Sequence, residues 1–247
     1  MNDMFTTPVL GYTTMGSTFM YGWSKSVLDH RFGVSVIDDQ QDHGLVSNSV
    51  LYETSVNRDR FRVGFQLGAL IEQDSFLGGS SDSVLGVDQT STYYLGINGS
   101  YNVNKRITLL GGVFQGTSSV NESRNSLLSD FSGLRTEGYA VGVMVDQLFS
   151  PKGSFGFSYS SPLQTTDGSA TLTLPVSQDW NTGAIGFDSS DISFSGAKRE
   201  QVVEAYYDYA IGHKSSVFTH LSYAKNPLDN LDASSDRTVY IGWKHRF

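Results

Sequence analysis

"TVYIGWKHRF", residues 238–247, sets Val239, Ile241, Trp243, His245 and Phe247 in strict alternation with Thr238, Tyr240, Gly242, Lys244 and Arg246. Successive side chains of a β-strand point to opposite faces, so this stretch predicts a strand with one apolar and one polar face. Ordinary chain termini fray in water and have little reason to end on an aromatic residue. A sheet with apolar surroundings on one side and a wet interior on the other does have that reason, and such a sheet is the wall of a membrane barrel.

The composition of the 247 residues agrees with that reading. Aromatic residues make up 13% and charged residues only 17%, with 26 glycines; about 25% charged is usual. No run of apolar residues is long enough for a transmembrane helix, which needs about 18 or more. A mean hydropathy of −0.23 would ordinarily indicate a soluble protein, but in a barrel only every second residue of a strand meets lipid, so the average stays low. The net charge of −8 offers no basic stripe for phosphate backbones and argues against a nucleic-acid partner. With no cysteine, neither a disulfide framework nor a thiolate metal site is available. The start, "MNDMFTTPVLGYTTMG", has no apolar core suited to a signal peptide. The chain is expected to be a mature protein or the C-terminal piece of a longer precursor.

Further strands appear on reading backwards from the terminus. "SSVFTHLSYA" (215–224) directs Val217, Thr219, Leu221 and Tyr223 to its apolar side, and "REQVVEAYYDYA" (199–210) sends Val203, Ala205, Tyr207 and Tyr209 outward. "GSFGFSYSSPL", "GYAVGVMVDQLF", "ITLLGGVFQG" and "STYYLGINGSY" repeat the pattern. So does "RFRVGFQLGALI" (60–71), with Phe61, Val63, Phe65 and Leu67 outward. The connections alternate between long polar stretches, such as "EQDSFLGGSSDSVLGVDQ" and "KNPLDNLDASSD", and short turns, such as "NRD" and "SPKG". Outer-membrane barrels show this asymmetry, with long extracellular loops and short periplasmic turns. The expected fold is all-β, a transmembrane antiparallel β-barrel of about twelve strands beginning near Arg31 and including "SATLTLPV" and "DISFS". Two units are expected: residues 1–28, a segment threading the pore, and residues 29–247, the barrel. "STFMYGWSK" (17–25) would make the strand count odd as a wall strand, so the lumen is its expected place.

Four stretches carry a family resemblance: "SVLDHRFGVSV" (26–36), "FGFSYSSPLQTTDGSATLTLPV" (155–176), "AKREQVVEAYYDYAIG" (197–212) and the terminal "TVYIGWKHRF". From about Val27 to Phe247 the chain resembles the C-terminal translocator domain of autotransporters, of the type that follows subtilisin-like passengers. The resemblance implies a barrel in the bacterial outer membrane that holds a linker in its pore and helps deliver an N-terminal passenger to the surface by type V secretion. It implies as partners outer-membrane lipid and lipopolysaccharide, the barrel-assembly machinery and the passenger. It also assigns recognition by that machinery to Val239, Ile241, Trp243 and Phe247. The family usually has a helix in the linker, whereas "GYTTMGSTFMYGW" is rich in Gly, Thr and aromatics.

Candidate chemistry is sparse. His220 and Ser222 lie two apart on one strand face, which could set a base beside a nucleophile, and outer-membrane phospholipase A spaces a His and a Ser this way. There the pair faces lipid, whereas strand phase here turns both residues inward, where two polar lumen residues are the simpler reading. Glu53, Arg62, Glu200, Glu204, Asp208, Lys244 and Arg246 are also expected to face the lumen. They could cleave a linker at an Asn, but no Asn lies between Asp3 and Lys25, and a mixed-charge lumen is the plainer account. Aspartates gather in the long connections, at Asp38, Asp39 and Asp42, at Asp74, Asp82 and Asp88, and at Asp229, Asp232 and Asp236, without the spacing of a calcium loop. Tyr93, Tyr94, Tyr101, Tyr206, Tyr207, Tyr209, Tyr240 and Trp243 are expected to form interfacial girdles. No enzymatic activity, cofactor or metal is expected of this chain.

Overall fold

A computed structural model describes residues 17–39, 45–76, 79–80, 86–124, 126–196, 198–212, 214–227 and 234–245. The first half holds β1 (Ser17–Lys25), β2 (Leu28–Asp39), β3 (Leu45–Arg58), β4 (Phe61–Gln73), β5 (Ser75–Phe76), β6 (Gly79–Ser80), β7 (Val87–Asn102) and β8 (Ile107–Glu122). The second holds β9 (Leu128–Ser129), β10 (Leu134–Asp146), β11 (Gly153–Asp167), β12 (Ser169–Gln178), β13 (Ile185–Ser193), β14 (Gln201–Ala210), β15 (Ser215–Lys225) and β16 (Asp236–His245). No helix among the described residues is long and apolar enough to cross a membrane, which says nothing about crossing with strands.

Eleven strands form one antiparallel sheet in the order β1-β2-β3-β4-β7-β8-β10-β11-β14-β15-β16. Each is at least 9 residues long, enough for a tilted strand to cross a bilayer core. The chain turns quickly at one end of this sheet, over 26–27, 59–60, 103–106, 147–152 and 211–214, and connects at the other over 40–44, 74–86, 123–133, 168–200 and 226–235, all but the first of these at least ten residues long. At one short turn Asn104 Oδ1 accepts the backbone N–H groups of Arg106 (2.8 Å) and Ile107 (2.9 Å), closing the reversal without longer chain.

Burial is inverted relative to a water-soluble protein. In β4, Gln66 is fully buried and Glu72 only 2% exposed, while Val63 and Leu67 on the opposite face are 47% and 45% exposed. The same holds along β3, β7, β8 and β10, where buried Ser, Thr and Glu share a face and exposed Val, Leu and Ile the other. Exposed aliphatic surface on this scale is costly in water and suited to hydrocarbon.

The sheet curls around its polar face. Leu51 on β3, Leu70 on β4 and Tyr94 on β7 form an interior cluster, and Leu163 of β11 packs against it. Three strand spacings separate β7 from β11, about 14 Å in a flat sheet, so this contact requires the wall to bend round. Leu163 stands where the β10–β11 register shifts between Glu137 and Tyr139, and such bulges re-aim side chains. The Tyr94 ring fits because it lies over Gly68, where a Cβ would overlap it.

Wall membership departs from the sequence expectation at two places. Ser17–Lys25, expected in the lumen, is paired along its length with β2, Ser17 opposite Val36 and Lys25 opposite Leu28, and forms one edge of the sheet. Residues 1–16, the remainder of the expected pore-threading segment, lie outside the described residues, as do Asp42, Asp82, Asp229, Asp232, Arg246 and Phe247. Conversely, "SATLTLPV" and "DISFS" are not wall: β11 pairs directly with β14, and β12 and β13 form a separate three-stranded sheet with β9. The reason is chemical. Across β12–β13, Thr171 bonds Asp191 and Thr173 bonds Ser189 on one face, while Leu172 and Leu174 oppose Ser190 and Asp188 on the other. Neither face of β13 presents lipid with an apolar surface. The chain leaves the wall at Gly168, whose φ of +139° suits glycine and whose missing Cβ makes room for Leu134, itself fully buried.

Because every neighbour in the eleven-stranded sheet is antiparallel, β1 and β16 run in the same direction, from the long-connection end to the short-turn end. An antiparallel ladder therefore cannot join these two edges directly.

Candidate functional site

The inner face carries the polar chemistry, in two clusters. Glu53 on β3 lies opposite Arg31 of β2 and one strand from Arg62 on β4. Its Oε1 accepts a hydrogen bond from Arg62 at 3.3 Å, and its Oε2 lies 3.9 Å from the Arg31 guanidinium. The carboxylate is 8% exposed whereas the two arginines are 46% and 38% exposed, so a dry anion is flanked by two partly hydrated cations. Arg62 also donates to Ser55 Oγ at 3.3 Å. Beside this cluster, Asn98 and Ser100 of β7 help line a cavity of about 140 Å³.

The second cluster spans β11, β14 and β15. Glu204 Oε1 lies 3.0 Å from His220 Nε2, and Glu204 Oε2 accepts from Ser158 Oγ at 3.1 Å. Towards the short-turn end, Asp208 accepts from Ser216 at 3.0 Å and borders a 290 Å³ recess with Tyr206, Lys214 and Lys244.

Of the sequence candidates, Glu53 and Arg62 are thus brought together, and so are Glu204 and His220. Ser222 lies across the ladder from Glu204 and shares the inner face with His220, but no hydrogen bond joins His220 to Ser222. Glu200 sits in the connection before β14, its N–H donating to Gln164 Oε1 at 3.3 Å. Val239, Ile241 and Trp243 lie on the outer face of β16, 66–69% exposed. Sequence reasoning missed Arg31 and Ser158; alternation with Gly33 and Ser35 was the available signal for Arg31, and for Ser158 nothing marks it among many serines. The expected aromatic girdle divides by strand phase. Tyr94 is buried within, and Tyr206 and Tyr240 lie opposite inward-facing His220, because neighbours such as Tyr93 and Tyr94 cannot both face out. Among the described residues no cluster of three or more His, Asp or Glu side chains could hold a metal ion.

No protein-family model and no curated protein matches the sequence. Among solved structures, the chain is similar to the Pseudomonas putida toluene transporter TodX, with a TM-score of 0.57 at 11% identity over 94% of this chain and 73% of that one. It is also similar to the anion-selective porin from Comamonas acidovorans, with a TM-score of 0.54 at 12% identity over 94% of this chain and 59% of that one, less than two thirds of the porin's length. The fold is that of outer-membrane β-barrels, and its apolar outer face is built for the bacterial outer membrane.

Proposed function

We propose that this chain is an outer-membrane translocator and anchor, which holds and helps export a passenger joined to its N-terminal side, without catalysing a reaction itself. One observation carries this reading beyond the sequence resemblance. β1 runs from the long-connection end down to the short turn at 26–27. With long loops extracellular and short turns periplasmic, Ser17 stands at the outer rim, and chain joined upstream of it departs from the cell-surface side. A passenger attached there is already on the side where it is displayed.

Epitope tagging tests this. The full chain, exported with a signal sequence and carrying an epitope before Met1, is expressed in a Gram-negative host and intact cells are treated with an external protease. Loss of the epitope from intact cells is expected. An epitope protected in intact cells, while the barrel migrates as folded on an unheated gel, overturns the reading.

A second reading, a solute pore, draws on the likeness to a toluene transporter and an anion-selective porin. Its signature is stable single-channel conductance of the full chain in planar bilayers. Steps that persist when an upstream passenger is fused favour the pore over the translocator.

A further inference from the structure

A sizeable recess lies on the apolar outer face, not in the interior. It has a volume of about 620 Å³, within the range of about 300–1,000 Å³ typical of small-molecule sites. Its floor is set by the ladder. Ala69 of β4 stands opposite Tyr93 of β7, Tyr93 opposite Thr117 of β8, and Thr117 opposite Arg135 of β10, so four outward side chains form one straight row. The next row towards the membrane centre begins Leu67 and Leu95, 45% and 43% exposed. Ala69 is the depression, a methyl group among larger neighbours.

The row sits near the long-connection ends of its strands, with Arg135 the second residue of β10. Here the outward rows pass from aliphatic to polar, so this is the extracellular interface. The guanidinium of Arg135 is exposed and makes no ion pair or hydrogen bond among the described residues. Of the nearby acids, Glu137 is already taken by Arg199 at 2.9 Å, and Asp167, opposite Arg135 on β11, makes no ion pair with it. An apolar trough therefore ends in an available cation at the height of the headgroups.

We propose that this groove binds a phosphorylated glycolipid of the outer leaflet, acyl chains over Ala69 between Leu67, Leu95 and Tyr93, and a headgroup phosphate on Arg135. Charge and span select this occupant. A cation calls for an anionic head, and three strand spacings, about 14 Å, separate Ala69 from Arg135. A broad phosphorylated sugar head carrying several chains bridges that distance, whereas a single glycerophospholipid puts its phosphate directly above its own two chains. This inference is independent of whether the chain exports a passenger.

The test uses the purified full chain in detergent micelles, with binding of bisphosphorylated hexa-acyl lipid A followed by native mass spectrometry. Wild-type protein is expected to bind lipid A at least tenfold more tightly than phosphatidylglycerol, and removal of both phosphates from the probe to weaken binding tenfold or more. Arg135→Glu and Ala69→Trp, both on the exposed face, should each weaken lipid A binding by a similar factor, with Arg106→Glu at the opposite end unchanged. Equal binding of phosphatidylglycerol, equal binding of the dephosphorylated probe, or retention of lipid A by both groove variants overturns the proposal. The two probe comparisons need only wild-type protein, so the test does not depend on any variant folding.

Discussion

Glu204 on β14 holds His220 on β15 across the ladder, Oε1 to Nε2 at 3.0 Å, while its second oxygen accepts from Ser158 on β11. The carboxylate thus ties three consecutive wall strands together on the inner face. Glu204→Ala should leave two polar partners without an acceptor and cost about 1–3 kcal/mol, read as a lower temperature for loss of the compact form on unheated gels. Ser222→Ala should leave that temperature unchanged. Ester hydrolysis should stay at background in the wild type and in Ser222→Ala alike; a serine-dependent activity would contradict the non-enzymatic reading.

The Glu53 cluster should respond asymmetrically. Glu53 is the dry partner and serves two arginines, so Glu53→Ala removes both pairings at once and is expected to cost about 1–3 kcal/mol. Arg62→Ala leaves Arg31 beside the carboxylate and should cost less. A double-mutant cycle on Glu53 and Arg62, measured by urea unfolding in micelles, should return a coupling energy clearly above zero.

Side-chain direction in β16 can be read by charge. Ile241 is 69% exposed on the outer face, whereas Thr238 lies across the ladder from inward-facing Ser222. Ile241→Lys should therefore destabilise the membrane-inserted form by about 2–4 kcal/mol if near the midplane, and Thr238→Lys by much less. Deleting Phe247 examines the separate assembly role that the resemblance gives to this strand, with less inserted protein in outer-membrane fractions as the expected outcome.

At the tip of the β12–β13 hairpin, Asp179 accepts hydrogen bonds from the backbone N–H of Asn181 (2.9 Å) and the hydroxyl of Thr182 (2.8 Å). These bonds, the backbone one foremost, hold its carboxyl below the usual carboxylate range. A carboxylate whose pKa is lower folded than unfolded stabilises the tip above the unfolded value, about 3.9, and that contribution disappears as pH falls through the folded value. The Asn181 amide resonance should hold steady from neutral pH to about pH 4 and move only below it. Asp179→Asn should abolish that movement.

The face of each wall strand was legible from the sequence because period-two alternation is a property of the local backbone. Val239 and Ile241, Val203 and Ala205, and Phe61 through Leu67 lie on the face their phase assigns, and the contrast of long and short connections sets the barrel's two ends. Pairing was not legible in the same way. "STFMYGWSK" and "SATLTLPV" both alternate locally, yet one lies in the wall and the other outside it. What separates them is the partner: β2 offers β1 a complementary ladder, whereas β13 has no apolar face to offer lipid.

The same distinction holds for the inner face. That Glu53, Arg62, Glu204 and His220 share it follows from phase alone. That Glu53 stands between two arginines, that Glu204 gathers a histidine and a serine from different strands, and that Leu163 reaches the cluster around Tyr94 depended on register and on one bulge. The groove ending in Arg135 is wholly a tertiary product, since Ala69, Tyr93, Thr117 and Arg135 are far apart in the chain and meet only as one row across four hydrogen-bonded strands. The sequence by itself determined which side chains can meet water and which lipid, and the non-local hydrogen-bond ladder decided which of them meet one another.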